Sequence, residues 1–389
     1  MFWVALRMLT GDVAKYLGIV FGVSFASLLI GQQLAIFCGL MRNTTSQIRD
    51  VEGADIWVMD KSVLFVDDTK PMSENKLSRV RGVEGVQWAV KLYKGLGRAK
   101  LEDGKYQQVI LLGLDYDNKS SDGRVVGQPR EERITQGKWE DLDAPDAVFM
   151  DAFGWTYIYG VDAPFVLGRS IEINNKRANI VGLVKCNATF QTFPIVYTKY
   201  SQAVAYSPPE PKTLSYILVK AQEGVTQEQV CENITERTGL KAKTNEEFFW
   251  MTIDYYRLRT GIPINFGITV MLGFVVGCAI AGQTFYLFTL ENLKQFGSLK
   301  AMGLSNWRIM GMVMLQALVV GAIGYALGIG GAAGFGVFFE KVVKTTPPAF
   351  YFGWQIPTIT AVAVLLIITL AAGFSLKKVL FLEAGVVFR

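Results

Sequence analysis

The chain has 389 residues, 51% of them hydrophobic, a mean hydropathy of +0.28, four cysteines and no histidine. The absence of histidine excludes histidine acid–base catalysis and histidine metal ligation, and no Cys-x-x-Cys pair occurs. The formal net charge is +5, yet Arg42 to Arg259 holds 29 Lys/Arg against 30 Asp/Glu, so the whole positive excess lies outside that segment.

In chain order, residues 1–16 read as an interfacial helix, because Phe2, Trp3, Leu6 and Leu9 fall on one helical face beside Arg7. Residues 17–41 are the first of four expected transmembrane helices. Leu17 to Met41 carries no charge and exceeds the roughly 20 residues that cross a bilayer. This run is too long for the apolar core of a signal peptide, and no clean small-x-small site follows it. Phe37 ahead of Cys38 also makes a poor lipoprotein cleavage site, so the run is read as a retained anchor.

Residues 42–260 read as an external mixed α/β domain. Ala54–Met59 suggests a strand, and Ser73–Arg81 a helix with Ser73 as N-cap and Gly82 as stop. Strands near 86–101 and 106–113 flank the turn Glu102-Asp-Gly-Lys105, and 170–181 alternates around an Asn-Asn turn, giving two hairpins. Residues 115–146 are rich in Asp, Gly, Ser, Arg and Pro and suggest an exposed excursion. Helices near 227–238 and 245–258 lead back to the membrane. Because the domain leaves and re-enters beside the first two spans, its ends are expected to pack together, with about 115–200 as an inserted subdomain. Cys186 and Cys231 share this compartment, where a disulfide is permitted but not demanded by spacing.

Three further apolar runs give transmembrane helices at 261–290, 309–339 and 355–376. They are separated by an elbow at 291–308 and a short loop at 340–354, and a tail at 377–389 follows. Arg7, Lys15, Lys294, Lys300, Arg308, Lys377, Lys378 and Arg389 lie on the side of the termini, against Asp12, Glu291 and Glu383. The opposite hairpin holds only Glu340, Lys341 and Lys344. Short loops with excess Lys and Arg stay inside, which places both termini and the elbow in the cytoplasm and 42–260 outside.

No Gly-x-x-x-x-Gly-Lys-Ser/Thr occurs, so the chain has no P-loop of its own. No Gly-x-Ser-x-Gly elbow occurs either, and the external carboxylates follow no pattern beyond a solvated surface. A non-catalytic protein without metal or cofactor is expected. No charge lies within the four apolar runs, whereas ion pathways and secondary transporters place ionisable residues there. Small residues recur at four-residue spacing instead: Gly18/Gly22, Gly273/Gly277, Gly324/Gly328 and Gly330/Gly334. These suit close helix packing, within one bundle or against a second copy.

The elbow is a short basic helix bearing Glu291, Lys294 and Lys300 and continuing the second span. Gly303 is placed to end it, Ser305 to cap the next helix, and Leu304 and Ile309 to form a staple. Two helices joined by a rigid corner can pass a partner's movement into the membrane.

The run Glu291-Asn-Leu-Lys-Gln-Phe-Gly-Ser-Leu-Lys-Ala-Met-Gly303, followed by a glycine-rich helix, resembles the motif of FtsX-like permeases. With MacB-type exporters and lipoprotein-releasing permeases these form one ABC-transporter superfamily. The order of one helix, a large external domain and three helices resembles that family along the whole chain. The C-terminal 380–389 resembles the family's closing tail but lacks its proline. The resemblance implies a four-helix membrane protein with an external α/β domain, the type VII ABC permease fold. It implies two permease copies paired with two ATP-binding subunits, which would bind ATP and Mg. Glu291, Lys294, Phe296, Gly297, Lys300, Ala301, Gly303, Trp307 and Arg308 would form the surface seated on the ATPase. The expected role is transmission of ATP-driven motion across a bacterial inner membrane, for export with a periplasmic adaptor and an outer-membrane channel like the DevC or MacB systems. Lipoprotein extraction, or signalling to a cell-wall hydrolase or antimicrobial-peptide sensing, are the alternatives. Membrane lipids are expected contacts and nucleic acid is not.

Overall fold

The computed structural model describes residues 2–101, 103–118, 125–342 and 349–380. Glu102 of the first hairpin turn, 343–348 of the short loop and 381–389 of the tail lie outside them, as do the side chains of Lys377 and Lys378. The chain forms two compact units. One is built from Met1–Gly39, Gly261–Val342 and Pro348–Arg389, the other chiefly from Leu40–Thr260.

The chain begins with α1 (Phe2–Thr10) and α2 (Val13–Thr44). It enters the second unit through α3 (Ser46–Asp50), β1 (Ile56–Met59), α4 (Asn75–Arg81), β2 (Val86–Lys100) and β3 (Tyr106–Leu114). There follow β4 (Ile134–Gln136), β5 (Ala147–Asp151), α5 (Ala152–Tyr159), β6 (Ser170–Ile173) and β7 (Lys176–Val184). Next come β8 (Ile195–Lys199), α6 (Tyr200–Tyr206), β9 (Tyr216–Ala221), α7 (Gln227–Thr238), β10 (Lys241–Thr244) and α8 (Asn245–Arg259). The first unit is completed by α9 (Ile262–Glu291), α10 (Leu293–Ala301), α11 (Asn306–Val342) and α12 (Gln355–Leu380).

Among the described residues four helices are long and apolar enough to cross a membrane: Val13–Thr44, Ile262–Glu291, Asn306–Val342 and Gln355–Leu376. The expected spans 17–41, 261–290, 309–339 and 355–376 fall on these helices, except for Gly261, which precedes α9. Their common core gathers Ile19, Val23, Ile30, Phe285, Val320 and Ile367, with Leu9 of α1 packed into it. The expected apolar face of α1 is therefore divided: Leu9 is buried, with Ala5 inside as well, while Trp3 and Leu6 are exposed and the side chain of Phe2 lies outside the described residues. Gln316, buried in α11, donates from Nε2 to the Ala5 carbonyl at 2.7 Å and pins α1 to that helix. A buried amide makes this bond because the alternative is an unmet donor in an apolar setting.

The second unit is a ten-stranded sheet in the order β10-β1-β9-β2-β3-β8-β5-β7-β4, with β6 bridging β2 and β7. β3/β8 and β5/β7 pair in parallel and the other neighbours antiparallel. The β6–β7 hairpin turns on Asn174 and Asn175, with φ of 49° and 64°. Asparagine tolerates this left-handed pair, and a two-residue turn of that hand matches the strand twist. The expected insertion 115–200 is not a separate subdomain. It supplies β4 to β8, and β3 hydrogen-bonds to β8 over five residue pairs, from Ile110↔Ile195 to Leu114↔Lys199, so both parts share one sheet.

One local expectation is corrected, and the pairing of two cysteines that the sequence left open is answered. Ser73 does not cap α4: its hydroxyl donates to Asn75 Oδ1 at 2.6 Å, and Glu74 occupies the cap position. Cys186 and Cys231 are both free. Cys186 packs against one core and donates to Tyr197 Oη at 3.3 Å, while Cys231 belongs to another core beneath α7. The helices leading back are capped by side chains. Thr226 accepts from Gln229 N, and Thr244 and Glu247 form a reciprocal capping box at the start of α8.

Candidate coupling site

The elbow joins α9 to α11 through α10. It is not a continuation of the second span, because α9 stops at Glu291 and Asn292 turns the chain. The Asn292 side chain donates from Nδ2 to the Phe288 carbonyl at 2.8 Å, and its main-chain carbonyl accepts from Phe296 N at 3.0 Å. Asparagine thus closes one helix and opens the next, since its short side chain competes for backbone groups.

α10 ends on a Schellman motif. Gly303 has φ of +91°. Leu304 N donates to the Leu299 carbonyl at 3.2 Å and Gly303 N to that of Lys300 at 3.0 Å. This pairing satisfies carbonyls the helix leaves open and requires a left-handed residue, for which glycine is cheapest. α11 then starts on Ser305, whose carbonyl accepts from Arg308 N at 3.0 Å and Ile309 N at 3.2 Å. Leu304 packs against the core that contains Ile309.

Burial sorts the expected coupling residues into two sets. Phe296 is 1% exposed and sits in the core with Leu9, Ile309 and Val313, and Gly297 is buried beside it. These two hold the corner from within. Lys294, Ala301, Gly303, Trp307 and Arg308 are exposed, Trp307 at 78%, and Lys300 is half-buried. Glu291 is engaged within the chain: its carboxylate pairs with Lys15 at the start of α2, which also holds Asp12 at 2.6 Å. The Lys15 hydrogen bond holds the Asp12 carboxyl below its usual range. Met302, 72% exposed, belongs to the outward set although motif reasoning passed over it. The signal was its place at the C-cap of α10, between the last helical residue and the glycine stop. The outward face therefore combines cations with two large apolar side chains.

The spaced glycines also separate. A Cβ added at Gly277 would come within 2.6 Å of Ala26 Cβ, and one at Gly324 within 2.7 Å of Val23. At Gly328 it would meet the Ser24 carbonyl and the Ser27 side chain, and at Gly22 the Ile280 side chain. Gly18 and Gly273 have ordinary contacts at 3.9 and 3.5 Å, whereas Gly330 and Gly334 have nothing within 4 Å. Gly31, Gly321 and Gly336 make close approaches that the spacing did not single out. Among the described residues no group of His, Cys, Asp or Glu could hold a metal ion.

A family model described as MacB-like periplasmic core domain matches residues 16–237, more than half of the chain. A second, FtsX-like permease C-terminal, matches residues 263–384 and so includes the elbow. The chain belongs to the FtsX-like, MacB-type ABC transporter permeases. Its four apolar helices and external α/β unit constitute the type VII permease fold. Among solved structures, the periplasmic region of MacB from Actinobacillus actinomycetemcomitans is 14% identical, covering 51% of this chain and 92% of that one at a TM-score of 0.35. The extracellular domain of the transporter YknZ from Gram-positive bacteria is 12% identical, covering 49% and 98% at a TM-score of 0.32. No curated protein matches. Membership places this permease in a membrane, implies an ABC ATPase partner, and fits a family whose membrane subunits are generally non-catalytic.

Proposed function

We propose that this permease converts ATP hydrolysis by a separate ATPase into movement of its external unit, for export across the bacterial inner membrane. Two copies work with two ATPase subunits and a periplasmic adaptor leading to an outer-membrane channel, and both termini are cytoplasmic. The observation that carries this reading is the elbow. It is closed at Asn292 and at Gly303, rooted in the core by Phe296, and covered outside by Lys294, Met302, Trp307 and Arg308. A corner built this way moves as a unit when pushed. Its load has two uninterrupted paths: α9 directly, and α2 through the Lys15–Glu291 pair.

The test is reconstitution of the purified permease with its cognate ATPase. The permease alone hydrolyses no ATP, the ATPase is stimulated on assembly, and Trp307→Ala combined with Met302→Ala removes that stimulation without preventing insertion. Full stimulation in the double variant, or turnover by the permease alone, defeats the proposal.

A further inference from the structure

α8 has an inner and an outer side. Phe248, Thr252 and Tyr256 are buried in the second unit, while Trp250 and Leu258 are 53% and 72% exposed. Beside them runs a groove of about 700 Å³, within the roughly 300–1,000 Å³ of small-molecule sites. Its apolar members are Val63, Leu64, Trp250, Met251, Tyr255 and Leu258. Its charged members include Glu228, Lys241, Lys243, Glu246 and Glu247.

These two sets are graded along the helix. Glu246 and Glu247 are in its first turn, with Lys241 and Lys243 on the strand that leads into it. Leu258 is in its last turn, some 11 residues or roughly 16 Å of helical rise away. Arg259, also lining the groove, is three residues before Ile262, where the apolar span α9 begins. Three residues of chain reach at most about 10 Å. The apolar end of the groove is thus tied to a membrane span by the chain itself, and the charged end lies at the far end of the helix. Asp254, the acidic group lining the apolar end, is paired with Arg257 at 2.9 Å.

An apolar end joined by a three-residue stretch of chain to a membrane span, with a charged end about one helix length along, is the polarity of a lipid. An added peptide strand is the poorer fit: β10 is the edge of the sheet but is four residues long and carries two lysines, devices that discourage strand addition. The charged end offers both signs. Lys243 pairs with Glu247 at 3.3 Å, Lys241 Nζ donates to the Val63 carbonyl at 2.6 Å, and Glu228 and Glu246 hold no ion pair among the described residues. Lysines can take a phosphate and the two glutamates an ammonium.

We infer that this groove seats one membrane phospholipid with a zwitterionic amine headgroup, phosphatidylethanolamine in kind, its upper acyl chain lying along Leu258, Tyr255 and Trp250. The occupancy does not depend on the ATPase coupling proposed above.

The experiment uses full-length permease in bilayer discs containing phosphatidylethanolamine brominated on its acyl chains. Subtracting the emission of Trp250→Phe from that of the unmodified protein isolates Trp250. The expected result is strong quenching of that component, lost in Leu258→Glu and retained in Leu258→Met. Leu258 is mostly exposed, so both variants keep the fold, which circular dichroism checks. Brominated phosphatidylglycerol quenches less, because it lacks the ammonium. Native mass spectrometry should find one more bound phosphatidylethanolamine on the unmodified protein than on Leu258→Glu. An unquenched Trp250, equal quenching in Leu258→Glu, or equal quenching by phosphatidylglycerol overturns the assignment.

Discussion

Gly303 offers the most direct test of whether the elbow is a rigid corner. Its φ of +91° is one that side-chain-bearing residues rarely adopt, and an added Cβ would find nothing within 4 Å. The cost of substitution is therefore backbone strain alone, with no steric clash mixed in. A left-handed position costs an ordinary L-residue roughly 1–2 kcal/mol, less for asparagine and more for a β-branched residue. One to two kcal/mol is a factor of about 5–30 in the population of the native corner. The series Gly303→Asn, Gly303→Ala and Gly303→Val should then lower partner-stimulated ATPase activity in that order while membrane insertion stays constant. The assay is stimulated turnover at saturating permease, beside a surface-labelling check of insertion. Equal stimulation across the series would show that the left-handed turn has no part in coupling.

Gly328→Ala should destabilise the membrane unit by about 1–3 kcal/mol through overpacking, since its methyl would meet the Ser24 carbonyl. Gly334→Ala should be neutral or slightly stabilising, as its side is open, and thermal melts in detergent that fail to separate the two would contradict this packing. Asp151 caps α5 and accepts from Ile195 N at 2.6 Å and Gly154 N at 3.0 Å, yet burial pushes its carboxyl up to about 7. The folded form holds its proton where the unfolded chain has lost it, so this contribution is complete below pH 4 and is lost as pH rises towards 7. Across that window stability should fall by at most roughly 1.4 kcal/mol for each pH step of one. Asp151→Asn should flatten the slope in pH-dependent melts, and an unchanged slope would assign it elsewhere. For topology, a cysteine at Ser305 should be labelled only from the cytoplasm and one at Ser62 only from outside; the reverse pattern would put the elbow out of reach of ATP.

Local chemistry was legible in the sequence. Length and hydropathy determined the four spans, because a helix of some 20 apolar residues has few other stable environments. The stop at Gly303 and the hairpin at Asn174-Asn175 were equally readable, since each depends on a left-handed backbone that few residue types accept. The capping box of Thr244 and Glu247, which lies within four residues, was not singled out from the sequence and came from the structure. What only the tertiary structure decided involves partners distant in sequence. Lys15 pairs with Glu291 while leaving it exposed, and the core around Leu9 and Val313 turns Phe296 inward, though neither partner is near the motif. The parallel pairing of β3 with β8 merges a supposed insertion into one sheet across some eighty residues of chain. The same reason separates the glycines: spacing marks a possible contact, but only a neighbouring helix at Gly277, Gly324 and Gly328, and open space at Gly330 and Gly334, determines which ones are used.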